Sequence, residues 1–299
     1  MAGTAHIYQS LIVNLLIASA KGVAAVVTGS GAMLAETIHS GADCGNQMLL
    51  LLGVKKSKKP PDAEHPLGYG RTLYFWSFMV AMLLFVGGGA FSIYEGVHKL
   101  QSPEPVHDVW LGFAILGFSL GLEGWATYGN IRELDKRRGA TPFWRFLRET
   151  KDSDLVVVFG ENSAAVLGLV LAMASLVVAW QTGNPMWDAV GSLCIGVVLV
   201  AVAVFLAIEV QSLLVGERAD PKIEAAVLET IRDDDRMVAA RTVVTVQQGP
   251  GEVMVCVKIR CRADVPVSEL SDLINSFEAR LRGRCPEAKW CYVEPDLSA

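Results

Sequence analysis

No C-x-x-C pair occurs among the six cysteines, Cys44, Cys194, Cys256, Cys261, Cys285 and Cys291. The usual spacing of zinc fingers and redox dithiols is therefore missing. Basic charge is also scarce. Lys and Arg number 26 against 31 Asp and Glu, so the formal net charge is −5, and the isoelectric point is about 5.6. No nucleic-acid partner is expected from that balance. The first ten residues contain no Lys or Arg. The basic start of a cleaved signal peptide is thus absent from them.

What the chain has in excess is apolar length. Hydrophobic residues make up 52%, and the mean hydropathy is +0.38. A transmembrane helix needs roughly 20 predominantly apolar residues. Six runs approach that length: Ile7–Val27, Ala32–Gly53, Leu73–Tyr94, Val109–Tyr128, Leu155–Trp180 and Trp187–Ile208. Packed as a soluble protein, they would leave almost no amphipathic surface. The expected class is a multi-pass α-helical membrane protein.

From about Glu217 the composition turns charged, opening with "ERADPKIEAAVLETIRDDDRM". Residues 1–216 read as a six-helix transmembrane domain and 217–299 as a small α+β domain in the order α-β-β-α-β. Asp220–Arg232 is the first helix, with Pro221 suited to its first turn. "RTVVTVQQ" and "EVMVCVKIR" are strands around the turn Gly249–Gly251. In the second strand Val253, Val255, Val257 and Ile259 alternate with more polar neighbours. Leu270, Ile274, Phe277 and Leu281 form a helical stripe, and "KWCYVE" is the last strand. So small a domain has a marginal core, and pairing with a second copy would bury more.

Lys and Arg in short loops set orientation. One loop carries Lys55, Lys56, Lys58, Lys59 and Arg71. Another carries Arg132, Lys136, Arg137, Arg138, Arg145, Arg148 and Lys151. These loops and the tail are expected in the cytoplasm, and an even helix count puts the N-terminus there too. In that reducing setting the tail cysteines read as small packed residues rather than disulfides, with metal binding the alternative.

Against this apolar background stand Lys21, Glu36, His39, Asp43, Glu123 and Glu161. Each costs on the order of 2.5–3.5 kcal/mol at a bilayer centre on insertion scales. Lys21, Glu36 and Glu123 read as a proton relay or as structural charges. His39 and Asp43 lie four apart on one helix face, with Glu36 three residues before His39. Imidazole nitrogen and carboxylate oxygen suit zinc and other first-row divalent ions. A full shell needs donors from another helix. Glu161 is the best candidate, beside small residues that allow close helix approach. A proton relay remains the other reading of this group.

The motifs "TGSGAMLAETIHSGADCGNQ", "DAEHPLGYGR" and "DAVGSLCIGVVL" with "QSLLVGE" resemble the cation diffusion facilitator family of divalent-metal/proton antiporters. The fifth helix is most similar to the zinc-transporter-nine branch. The resemblance implies that His39 and Asp43 belong to a membrane metal site. The usual fifth-helix pair is replaced by "VVVFGENSAAV", which leaves Glu161 or Asn162 as the ligand. It also implies a loop metal site at Asp62 and His65. Tyr69 stands where many members have His, and Pro66, Gly68 and Gly70 also suit a plain turn. The His-rich cytoplasmic sites of well-known members have no counterpart, because no His follows His107.

The family further implies a homodimer joined through the tail, alternating access and outward export. The expected cargo is a divalent cation, zinc first, with iron, manganese, cobalt or cadmium as alternatives. Protons are the exchange partner, because metal and protons compete for one ligand set and an unperturbed His titrates near pH 6.5. No prosthetic group and no enzymatic activity are expected. The expected location is the cell (inner) membrane. A metal-binding membrane sensor that does not transport is the alternative function.

Overall fold

The computed structural model describes residues 2–102, 106, 108–150 and 153–296, with side chains from residue 14 onward except 149 and 153–155. Lys151 of the second basic loop lies outside the described residues. The chain divides into two compact units. One comprises Met1–Gly53, Trp76–Leu147 and Ser153–Val210; the other comprises Val54–Phe75, Arg148–Asp152 and Gln211–Ala299.

The first unit is built from long helices. α1 (Ala2–Thr28) and α2 (Gly31–Ser57) are separated by a short turn. Gly29 takes a left-handed φ of 64° there, the conformation that closes helix C-termini. The next rod changes type along its length. It runs as α3 (Thr72–Leu83), a π-helical stretch (Leu84–Ala90) and α4 (Phe91–Gln101). The wide turn coincides with Gly87, Gly88 and Gly89, which weaken an α-helix by about 1 kcal/mol each relative to Ala. α5 (Val109–Arg138), the short α6 (Phe143–Glu149), α7 (Ser153–Thr182) and α8 (Met186–Val215) follow.

Among the described residues, four helices have the length and hydropathy to cross a membrane: Thr72–Gln101, Val109–Arg138, Val156–Thr182 and Met186–Val215. α1 supplies a shorter apolar stretch, Asn14–Thr28. α2 is long, but Glu36, His39, Asp43, Asn46 and Gln47 dilute its hydropathy. Two helices run past their apolar windows. α5 continues to Arg138, where Glu133–Arg137 (3.0 Å) and Asp135–Arg138 (2.6 Å) pair across one turn. α2 continues through Lys55 and Lys56, whose charges suit a helix C-terminus. Close packing rests on glycine. A Cβ on Gly89 would lie 2.6 Å from Val200, and one on Gly196 2.8 Å from the Ile93 backbone nitrogen, so α8 passes nearly backbone to backbone over the third rod.

The second unit contains the small α+β domain. α9 (Pro221–Arg232) starts on Asp220, whose side chain accepts from Lys222 N. β1 (Met237–Gly249) pairs antiparallel with β2 (Glu252–Cys261), which pairs parallel with β3 (Ala288–Asp296), giving the order β1-β2-β3. α10 (Val267–Arg284) makes the crossover between the parallel strands. Val253, Val255, Val257 and Ile259 are buried as their alternation predicts, against Val227, Leu273, Phe277 and Leu281. The helical stripe is thus centred on Leu273, and Ile274 is only half-buried. Cys261 and Cys291 lie in this core, and all six cysteines are free. Burial pushes the Cys291 thiol up to about 12, which suits a small packed core residue. The protein is an α-helical membrane protein carrying a small α+β domain.

Candidate metal centre

Residues 36, 39, 43 and 46 follow one another at intervals of three and four. In a helix they form one face, and α2 turns that face into the bundle. Glu36, His39 and Asn46 are fully buried. His39 Nε2 lies 3.7 Å from Asp43 Oδ2, with the two side chains 1% and 16% exposed. That is too long for a hydrogen bond. Among the described residues, both His39 ring nitrogens, Asp43 Oδ1 and Asn46 Oδ1 are buried without a hydrogen-bond partner. An unmet buried polar atom costs about 1–3 kcal/mol. Four on one helix face call for a shared partner, and apart from whichever ring nitrogen holds a proton they are acceptors.

Glu161 of α7 is buried and faces the same group. Its Oε1 accepts from Asn46 Nδ2 at 2.5 Å, and its charge acts on Asp43. The structure therefore brings Glu161 to α2 through Asn46. Asn162, its neighbour, is half-buried, and its backbone carbonyl accepts from Thr127 Oγ1 at 3.3 Å. Glu123 is half-buried on α5, within electrostatic reach of Lys21, Asp43 and His39. Among the described residues, no three His, Cys, Asp or Glu side chains converge into a closed metal shell. What is present is half a shell on α2, with Glu161 adjacent.

Lys21 and Glu36 form a separate pair. Lys21 Nζ lies 3.2 Å from Glu36 Oε2 and donates to Ser40 Oγ at 2.8 Å, with both charged side chains fully buried. Asp188 of α8 anchors the start of α2. It accepts from Gly31 N at 2.6 Å and Ser30 Oγ at 2.5 Å, and it pairs with Lys99 at 3.5 Å. A carboxylate is favoured at that positive helix end.

Asp62 and His65 lie in the loop of the second unit, about half exposed and 3.6 Å apart. Both Asp62 oxygens already accept hydrogen bonds. Oδ1 takes the His65 and Glu64 amides at 2.7 and 3.1 Å, and Oδ2 takes the Tyr69 hydroxyl at 2.6 Å. The Tyr69 bond, then the His65 amide, holds the Asp62 carboxyl below its usual range.

Sequence reasoning missed Asn46 and Asp188. Asn46 extends the spacing 36, 39, 43 by one more step, which is a usable signal. Asp188 gives none, because Ser30 and Gly31, which it caps, lie more than 150 residues away in sequence.

Residues 7–215 match the family profile for the cation efflux transmembrane domain. The mouse protein "Proton-coupled zinc antiporter SLC30A9, mitochondrial" is 33% identical over 258 residues, which is 86% of this chain and 44% of the relative. "Metal tolerance protein C4" of Arabidopsis thaliana is 35% identical over 225 residues, 74% of this chain and 49% of the relative. "Magnetosome protein MamB" of Magnetospira sp. is 26% identical over 208 residues, 68% of this chain and 64% of the relative. The chain thus spans less than half the length of the first two. A profile covering most of the chain, together with relatives at about a third identity, places the chain in the cation diffusion facilitator family of cation-efflux proteins, close to its zinc-transporter-nine branch.

Proposed function

We propose that the chain exports a divalent metal cation across a membrane in exchange for protons. His39, Asp43 and Glu161 are the ligands, and zinc is the first choice of cargo. The observation that carries this reading is the set of orphaned buried atoms at His39, Asp43 and Asn46. Imidazole nitrogen with carboxylate oxygen is a zinc-type donor set; iron, manganese, cobalt and cadmium remain alternatives on the same donors. Metal needs neutral His39 and ionised carboxylates, so binding it releases protons. That competition gives proton exchange a chemical basis, and alternating access of the half-open shell gives it a path. The printed names of the SLC30A9 relatives, proton-coupled zinc antiporters, support the same reading. The protein acts as a transporter and not an enzyme, in the cell (inner) membrane with both termini cytoplasmic, as a homodimer joined through the α+β domain.

The incomplete shell favours a second reading, a membrane sensor that binds metal without moving it. The test is zinc uptake into sealed liposomes holding the purified protein under an imposed pH gradient. A transporter accumulates zinc far beyond its own molar amount and stops when the gradient is collapsed. Uptake that levels off at the amount of protein reconstituted sinks the transport reading.

A further inference from the structure

Lys21 and Glu36 do not belong to the ligand set, yet they sit one helical turn from it. Glu36 lies on α2 just before His39, and Ser40, the other partner of Lys21, directly follows His39. The carboxylate and hydroxyl oxygens of these two residues hold the Lys21 ammonium at 3.2 and 2.8 Å. All three side chains are buried. The second Glu36 oxygen, Oε1, is buried without a hydrogen-bond partner and is pressed against α7 at Gly168. A Cβ at Gly168 would overlap it. A buried pocket of carboxylate and hydroxyl oxygens suits a cation, and here the chain fills it with its own.

The charges show what this achieves. Four carboxylates gather here: Glu36 and Asp43 on α2, Glu161 on α7 and the half-buried Glu123 on α5. The fully buried Lys21 ammonium pairs directly with Glu36. With Glu36 matched by Lys21, the proposed ligands Asp43 and Glu161 carry two negative charges, the complement of one divalent ion. Without Lys21, the same face would carry a surplus carboxylate beside His39.

We propose that Lys21 is a built-in counter-ion. Its ammonium occupies the position a second cation would take, and so it limits the bundle to one divalent ion per chain. This rests on the reading of His39 and Asp43 as metal ligands.

The test is zinc binding to the full chain purified in detergent, measured by equilibrium dialysis with zinc alone. Lys21→Gln keeps a donor for Glu36 and removes the charge. Wild type is expected to bind about one zinc, lost in His39→Ala. Lys21→Gln is expected to bind about two, or to hold the first about tenfold more tightly. Lys21→Gln with Glu36→Gln should return to one zinc at wild-type affinity. Lys21→Gln with His39→Ala should keep one, bound at Glu36. A Lys21→Gln protein that binds as wild type overturns the proposal, and so does a double Gln variant that still takes two. If Lys21→Gln does not fold, Lys21→Arg decides: one zinc keeps the counter-ion, two overturn it. Absence of zinc from the wild type itself instead removes the ligand reading beneath the proposal.

Discussion

In the α+β domain, Arg236 holds Asp234 with Nε and Nη2 at 2.9 Å each. In the bundle, Asp43 leaves Oδ1 buried and unmatched. The same contrast runs through both units. Lys258–Glu294 (2.9 Å), Lys289–Glu252 (2.5 Å) and Arg262–Asp264 pair at the domain surface. Such pairs contribute about 0–1 kcal/mol each. In the bundle, Lys21–Glu36 and Lys99–Asp188 are paired in the interior, while the His39–Asp43–Asn46 face is left open. Where water reaches, the chain closes its charges locally, although little depends on it. Where water is excluded and each open atom is costly, it keeps several open on one face. Stability does not explain that choice, whereas the cargo cation proposed above would.

The largest effect is expected from closing that difference. His39→Ala and Asp43→Ala remove the unmatched atoms, and zinc flux into liposomes should fall to the protein-free background in each. Size-exclusion profiles should match wild type, because neither side chain is used in packing contacts that a hydrogen bond secures. A variant of either residue that transports at the wild-type rate places the cargo elsewhere.

The Asn46–Glu161 pair sharpens the comparison at intermediate size. Glu161→Gln keeps an acceptor for Asn46 and loses the charge. Asn46→Leu keeps the charge and loses the bond that holds it. Losing an orienting partner typically costs about 10–100-fold in metal affinity. Asn46→Leu should fall in that range by zinc dialysis, and Glu161→Gln should lose at least as much. Asn162→Ala should stay within about twofold of wild type, since among the described residues it is the Asn162 backbone carbonyl, not its side chain, that takes a hydrogen bond. If Asn162→Ala is the damaging variant, the α7 ligand is Asn162.

Much of this was legible in the sequence, for particular reasons. Apolar runs reveal membrane helices because lipid selects for composition, and Val253 to Ile259 reveal a strand because a half-buried sheet selects for alternation. His39 and Asp43 stood out because ionisable groups are rare in such runs. What stayed hidden depended on tertiary partners. Asn46 looks neutral until Glu161, 115 residues later, is beside it. By hydropathy the end of α5 looks like loop, because hydropathy reports exposure to lipid, whereas Glu133 and Arg137 sustain a helix in water. Leu273 and Ile274 both fit a helical period, and only packing against β2 chooses Leu273.

The smallest effect tests whether the α2–α3 loop behaves like the α+β domain, closing its own charges, or like the bundle. Asp62 is satisfied by two backbone amides and by Tyr69, and the Tyr69 bond is the main cause of its lowered pKa. A lowered carboxylate pKa stabilises the folded loop above the ordinary carboxylate range, near pH 4. That contribution is lost as pH falls through the lowered value, where the folded carboxylate takes up its proton. Tyr69→Phe removes one acceptor–donor pair from an exposed site. It should raise the Asp62 pKa toward its ordinary value, as read by carbon NMR of labelled aspartate. Proteolysis of the loop between Lys59 and Arg71 should become faster at neutral pH, with the difference from wild type shrinking as pH falls below 4. Zinc flux should stay within about twofold, because the loop does not supply bundle ligands. If Tyr69→Phe instead makes loop protection depend on added zinc, the freed Asp62 oxygen binds metal with His65, and the loop behaves like the bundle face.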